Sequence, residues 1–246
     1  MTAPRTPAAI ALSRIEEEME GRPLPSLPPG DLTALAAAAG DDPRRLKRWI
    51  KRRLAGEPLA HITGSFEFRG LRVAVDKRAY VTDPELTHLV EAVLGRARAF
   101  QAAAGRGPLL AEFGVGCGSL ALSILRAFPA AVVVGLDLDP DALAVAAGNA
   151  AAHRLPLRLV ESDLFDDWPA DHYGAMPPVS AFPLGGRTGV HAQILQAVAR
   201  RGWTSEIWLN GGVLPREELA AVAREAREWD VLSPAADVRL LRCRMK

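Results

Sequence analysis

The chain has 246 residues, 49% hydrophobic and 24% charged, with a formal net charge of +1. That content can bury a full core in one large or two small domains, and the near-neutral balance gives no global pull toward nucleic acid or an anionic membrane. Two distant cysteines, Cys117 and Cys243, form neither a disulfide framework nor a metal spacing, and no membrane span or signal-peptide core is visible, so the expectation is a cytoplasmic protein in a reducing compartment.

In chain order, Ala8 to Met19 reads as a short helix, followed by Arg22-Pro-Leu-Pro-Ser-Leu-Pro-Pro29. Proline at that density breaks helices and reads as a linker. Asp31 is expected to cap a small helix through Ala38. Asp42, with Pro43 at the first helical position, caps a stronger helix from Arg44 to Leu54. Leu46, Trp49, Ile50 and Leu54 form its apolar stripe. Its other face carries Arg44, Arg45, Lys47, Arg48, Lys51, Arg52 and Arg53. Such a run is either a docking face for RNA or an acidic protein, or a solvated face balanced by acids elsewhere. No aromatic residue is interleaved on the polar side to stack with bases, which disfavours nucleic acid.

From Ile62 to Val75 the alternation predicts a β-hairpin turning at Gly70, with Phe66 and Phe68 on one face. Asp83 and Pro84 then open a helix to about Ala97 with Leu86, Leu89, Val90, Val93 and Leu94 inward, and Gln101 to Gly107 reads as a loop. Pro108 to Ala111 is a buried strand. It runs into Glu112-Phe-Gly114-Val-Gly116-Cys-Gly118, after which Ser119 to Phe128 is helical and Ala131 to Leu136 is a second strand ending in Asp137. Strand, glycine-rich turn, helix and acid-tipped strand make a nucleotide-binding βαβ unit. The glycines let backbone pass close to a ligand at positive φ, and the acid can accept hydrogen bonds from two ribose hydroxyls. The glycines alternate as G-x-G-x-G rather than in the dinucleotide spacing, and Glu112 is a poor neighbour for a pyrophosphate.

Alternation continues. Asp139-Pro140 starts a helix through His153, and Leu157 to Val160 is a strand ended by Glu161-Ser-Asp163. Asp171 to Ala175 is read as a degraded strand before Met176-Pro177-Pro178-Val179. A helix from Val190 to Arg200, a strand from Glu206 to Asn210, a helix from Pro215 to Trp229 and strands at Val231 and Val238 to Cys243 complete the chain. This pitch implies a parallel, doubly wound α/β sheet with an antiparallel end.

The turn, with an acid two residues before its first glycine, resembles that of class I S-adenosylmethionine (SAM) methyltransferases. A wider set is more specific: Glu57-Pro-Leu-Ala-His-Ile-Thr-Gly64, Phe66 and Phe68, Thr82-Asp-Pro-Glu85, Leu89-Val-Glu91, the glycine turn, Asp137 and Asp163-Leu164-Phe165. In that order they resemble the release-factor glutamine methyltransferases, well over residues 44–165 and loosely beyond. The resemblance implies a Rossmann-like, mostly parallel seven-stranded sheet with a small helical N-terminal domain. The expected division is 1–61 helical, 62–78 hairpin linker and 79–246 SAM domain. It implies SAM as cofactor, with Glu112, Gly114, Gly116 and Gly118 around the methionine portion and Asp137 on the ribose. Leu138 would pack on the adenine, and Asp163 with the Leu164 backbone would meet its amino edge.

The departures concern the methyl acceptor. The family carries Asn-Pro-Pro-Tyr after the fourth strand, where the amide holds the acceptor nitrogen and the ring flanks it. Here the aligned residues are Met176, Pro177, Pro178 and Val179, and methionine accepts no strong hydrogen bond. An arginine of the family is Asp83, and the segment from Val179 to Arg187 is short. Three readings follow: a methyltransferase with another acceptor such as a small molecule, a glutamine methyltransferase with a relocated clamp, and a non-catalytic SAM-binding relative. His172, Tyr173 and His191 are the nearby titratable candidates for a base, each with a structural alternative. No metal-ligand cluster is visible.

Overall fold

The computed structural model describes residues 10, 27–28, 30–170, 179–182 and 188–245, with the backbone alone given at 179–182 and 188. The expected helix at Ala8 to Met19, the strand at Asp171 to Ala175, and His172, Tyr173, Met176, Pro177 and Pro178 fall outside the described residues. The chain divides into two compact units, Met1–Phe66 with Ala74–Lys77, and Glu67–Val73 with Arg78–Lys246.

In the first unit, α1 (Asp31–Ala39), α2 (Pro43–Leu54) and α3 (Leu59–Thr63) enclose a small core of Leu35, Ala39, Leu46, Ile50 and Ile62. Asp42 caps α2 by accepting from the backbone of Arg44 and Arg45 at 3.0 and 2.9 Å, as its sequence predicts. Asp31 does not cap α1; Gly30 holds that position, and Asp31 instead pairs with Arg53 at 2.5 Å. The cations of α2 are extensively answered by acids: Arg45 by Asp42, Arg52 by Glu57 and Arg53 by Asp31. That pattern matches the solvated, balanced face.

The hairpin pairs β1 (Ser65–Phe68) with β2 (Leu71–Ala74). Arg69 and Gly70 both take positive φ, 50° and 74°, as a tight two-residue hairpin turn requires. Leu71, Val73 and Val75 are buried in alternation with exposed Arg72 and Ala74.

In the second unit a 3₁₀ turn, Pro84–Leu86, leads into α4 (Thr87–Ala104). This helix absorbs much of the loop expected at 101–107 and ends at Gly105, φ 68°. The sheet strands are β3 (Leu109–Phe113), β4 (Val132–Asp137), β5 (Arg158–Glu161), β6 (Val179–Phe182), β7 (Glu206–Gly212), β8 (Glu228–Ala235) and β9 (Val238–Arg244). Their order is β5-β4-β3-β6-β7-β9-β8, parallel except where β9 runs against β7 and β8. Helices α5 (Ser119–Ala127), α6 (Pro140–His153), α7 (Thr188–Arg200) and α8 (Arg216–Val222) alternate with the strands. The order reverses between β3 and β6, and the crevice outside the carboxyl ends at such a switch point is where this architecture holds ligands.

Two expectations are corrected. The helix predicted from Pro215 to Trp229 ends at Val222 with a 3₁₀ turn to Glu225. Trp229 belongs to β8, where Asp230 lies opposite Arg242 and accepts its Nε at 2.9 Å; cross-strand pairing overrides the helical period. The fourth sheet strand is β6, in register Leu110↔Val179 and Glu112↔Ala181. Val179 therefore opens this strand instead of closing a loop beyond its carboxyl end, and the chain leaves the ligand edge after Phe182.

Candidate functional site

The turn between β3 and α5 is built by backbone conformations that side chains disfavour. Gly114, Gly116 and Gly118 have φ of 68°, 53° and 82°, in the left-handed region open to glycine. Gly118 is also sterically closed, since a Cβ there would meet the Ala146 Cβ at 3.3 Å. Three contacts pin the loop. Asp137 at the tip of β4 accepts the Gly116 N–H at 2.8 Å. Buried Asn149 of α6 donates to the Cys117 carbonyl at 2.9 Å. Thr82 shares a hydrogen bond with Ser119 at 2.5 Å and lies 3.6 Å from the Cys117 sulfur. Burial pushes the Cys117 thiol pKa up and that of Cys243 to about 12, so neither is poised as a nucleophile.

Glu112, the penultimate residue of β3, is 2% exposed, and neither carboxylate oxygen has a hydrogen-bond partner. Burial raises its pKa to about 8; the Ala121 amide, outside hydrogen-bond geometry, offsets part of this, and the charge of Asp137 pushes the pKa further up. The other buried glutamate of the sheet behaves differently. Glu206, 6% exposed, is answered by Arg96 at 2.7 Å, Trp208 Nε1 at 3.0 Å and Arg244 at 3.5 Å. An orphaned buried carboxyl costs several kcal/mol and persists where a ligand supplies the missing partner.

Glu112 faces a cavity of about 610 Å³, within the usual range for small-molecule sites. It is lined by the glycine turn, Cys117, Ser119 and Leu120 together with Tyr80, Thr82, Asp83, Leu86, Val190 and Asn210. Asp137, Leu138, Asp163 and Leu164 do not line this cavity but extend from its glycine turn along the strand ends. Asp137 follows from the Gly116 bond, and its carbonyl accepts the Ser162 N–H at 2.9 Å, which places the Asp163 turn beside it. Leu138 is 66% exposed, an apolar side chain offered to solvent beside the acid. Asp163 is exposed and Leu164 takes a φ of 52°. Asp139 caps α6 by accepting from Asp141. His191 is fully buried in α7 and does not line the cavity.

Sequence reasoning left several contributors unassigned, among them Tyr80, Asn149, Ser162 and Asn210. Asn149 had a visible signal, a lone amide in an alanine-rich helix. Ser162, whose hydroxyl bonds the Leu164 carbonyl at 3.2 Å and the Asp167 N–H at 3.1 Å, had none beyond its place between two acids.

Residues 98–200 match the family model described as "Methyltransferase small domain". A Deinococcus radiodurans release factor glutamine methyltransferase is 39% identical over 115 residues, 47% of this chain and 40% of that protein. One from Bradyrhizobium diazoefficiens is 36% identical over 157 residues, 61% of this chain and 52% of that protein. Over roughly half of its length this chain is similar to the release factor glutamine methyltransferases. A third relative, 31% identical over 165 residues, 65% of this chain and 54% of its own length, is the 4-amino-L-phenylalanine/4-methylamino-L-phenylalanine methyltransferase of Streptomyces pristinaespiralis. The chain spans about half the length of these curated relatives. Among solved structures, a T. thermophilus 16S rRNA N2 G1207 methyltransferase in complex with AdoMet and guanosine superposes with a TM-score of 0.56 at 19% identity, covering 74% of this chain and 50% of that one. A Lactobacillus delbrueckii ribosomal protein L11 methylase gives 0.51 at 15% identity, covering 70% and 84%. The fold is that of class I SAM-dependent methyltransferases. Among the described residues, no helix is long and apolar enough to cross a membrane.

Proposed function

We propose that this chain is a SAM-dependent methyltransferase whose acceptor is not the release-factor glutamine but a small molecule. The observation that carries the cofactor is Glu112: a buried carboxyl without a partner, facing a cavity behind a glycine turn, suits the α-ammonium of SAM's methionine end. Asp137 keeps the capacity for two ribose hydroxyls after accepting from Gly116 and Asp139, because each carboxylate oxygen has two lone pairs. Leu138 offers an apolar surface for the adenine face, and Asp163 with the Leu164 backbone suits its amino edge.

When bound, SAM supplies a sulfonium leaving group: the acceptor's lone pair forms the new bond to the methyl carbon, and the carbon–sulfur electrons go to sulfur. The protein's own task is then in-line positioning and exclusion of water. The turn and Glu112 fix one partner, and the lining of Tyr80, Leu86, Val190 and Asn210 is left for the other.

The small-molecule reading is supported by the absence of an Asn-Pro-Pro-Tyr sequence anywhere in the chain and by the kinship with an aminophenylalanine methyltransferase. Calorimetric titration with S-adenosylhomocysteine tests the cofactor half; the expected result is one site, and no binding at millimolar ligand would end the methyltransferase reading.

A further inference from the structure

The cavity is larger than the cofactor arm that the function proposed above places in it, and this inference rests on that function. Roughly nine non-hydrogen atoms make up a methionine arm. Even at the ~30 Å³ that one liquid water occupies, they fill less than half of about 610 Å³. The ribose and adenine belong at Asp137 and Leu138, outside this cavity, so the remaining space is for the acceptor. Its walls are Tyr80, Leu86 and Val190, with Thr82, Asp83 and Asn210 as the polar groups.

The charges of this space are one-sided. Among the described lining residues there are two carboxyls, Glu112 and Asp83, and no Lys, Arg or His. Asp83 uses one oxygen, Oδ1, to cap the 3₁₀ turn by accepting the Glu85 N–H at 3.1 Å. No ion pair to it forms among the described residues. Asn210 sits where the β7–β9 register shifts, and its Oδ1 accepts the Gly212 N–H at 3.0 Å. The carbonyl side of that amide is thereby committed, and its NH₂ is left for a ligand's oxygen. A cationic acceptor approaching a sulfonium is repelled unless an anion stands beside it. With Glu112 taken up by SAM's ammonium, Asp83 is the lining carboxyl left to supply that anion, and no Lys, Arg or His among the described lining residues would receive an anionic acceptor.

We infer that the acceptor carries an ammonium group on an apolar body, that Asp83 is the specificity-determining residue that binds this cation, and that Asn210 donates to an oxygen of the same molecule.

The test uses the full chain saturated with S-adenosylhomocysteine, so that Glu112 is engaged. Benzylamine, benzyl alcohol and benzoate share one apolar body and differ in charge. Calorimetric titration should show benzylamine binding about tenfold or more tighter than benzyl alcohol, with benzoate weakest. Asp83→Asn preserves the cap, because asparagine caps as well as aspartate, and removes the charge. It should bring benzylamine to within about threefold of benzyl alcohol and leave S-adenosylhomocysteine affinity unchanged. Benzoate binding as tightly as benzylamine, or an Asp83→Asn variant with undiminished amine preference, overturns this assignment alone. Failure of S-adenosylhomocysteine to bind overturns the SAM reading and this assignment with it.

Discussion

Glu112→Gln separates the energetic cost of the orphaned carboxyl from its use. With a pKa near 8 against an ordinary 4.5, the folded chain keeps a proton that the unfolded chain has released between those two pH values. Unfolding free energy therefore falls as pH rises through this window: the group's contribution is full below pH 4.5 and lost above about 8. At ~1.4 kcal/mol per unit, the total loss is about 5 kcal/mol, of which about 3 has been incurred by pH 7. Glutamine is nearly isosteric and cannot ionise. The variant should be more stable than wild type by a few kcal/mol at pH 9 and indistinguishable at pH 4.5, which denaturant titrations along a pH series would read.

The same carboxyl controls the ligand. Binding an ammonium requires the anion, so wild type should release about one proton when it takes up S-adenosylhomocysteine at pH 7. Its affinity should rise about tenfold from pH 6 to pH 7 and level off near 8. Calorimetry in two buffers of different ionisation enthalpy measures the released proton directly. The Glu112→Gln variant should bind about 10- to 100-fold more weakly at pH 8, with no proton release and a flat pH profile. Parallel loss of stability with pH in both proteins, or equal proton release by both, would refute the assignment of a buried protonated acid to this cavity.

Asp137→Ala should weaken S-adenosylhomocysteine binding by about 1–3 kcal/mol, through lost charge-assisted bonds and a turn no longer held at Gly116; calorimetry reads it. Incubated with SAM and a purified bacterial release factor, the wild-type protein should leave the Gly-Gly-Gln glutamine essentially unmodified by mass spectrometry. Loss of one positioned hydrogen bond already costs ~10²–10³ in rate, so stoichiometric methylation within minutes would return the glutamine to the acceptor list.

The glycine turn and its acid were legible because local geometry dictates them. Gly114, Gly116 and Gly118 adopt conformations that other residues resist, and Asp137 closes a hydrogen bond only 21 positions away. The rest of the cavity lining comes from separate places: Tyr80 and Asp83 before α4, Val190 on α7 and Asn210 on β7. No spacing rule connects those positions. Trp229 was misread for a related reason: the apolar series Leu219, Val222, Ala226 and Trp229 suits a helix, and only the distant partner β9 converts its end into a strand.

The register of β6 makes the last prediction. In a parallel sheet all carboxyl ends lie at one edge, and the glycine turn marks that edge for β3. Val179 pairs with Leu110 and Ala181 with Glu112, so Val179 stands two residues back from the site and Phe182 at its rim. At ~3.3 Å per residue, the two positions are ~10 Å apart along the strand. Aligning by the Pro177-Pro178 pair alone therefore points mutagenesis at the wrong end. Val179→Tyr should leave the KM for the acceptor unchanged, whereas Phe182→Ala should raise it severalfold with S-adenosylhomocysteine affinity intact. The reverse pattern would mean that the strand in solution is shifted toward the Met176 register. The family's acceptor clamp would then lie where the prolines suggest, altered in its side chains but not in its place.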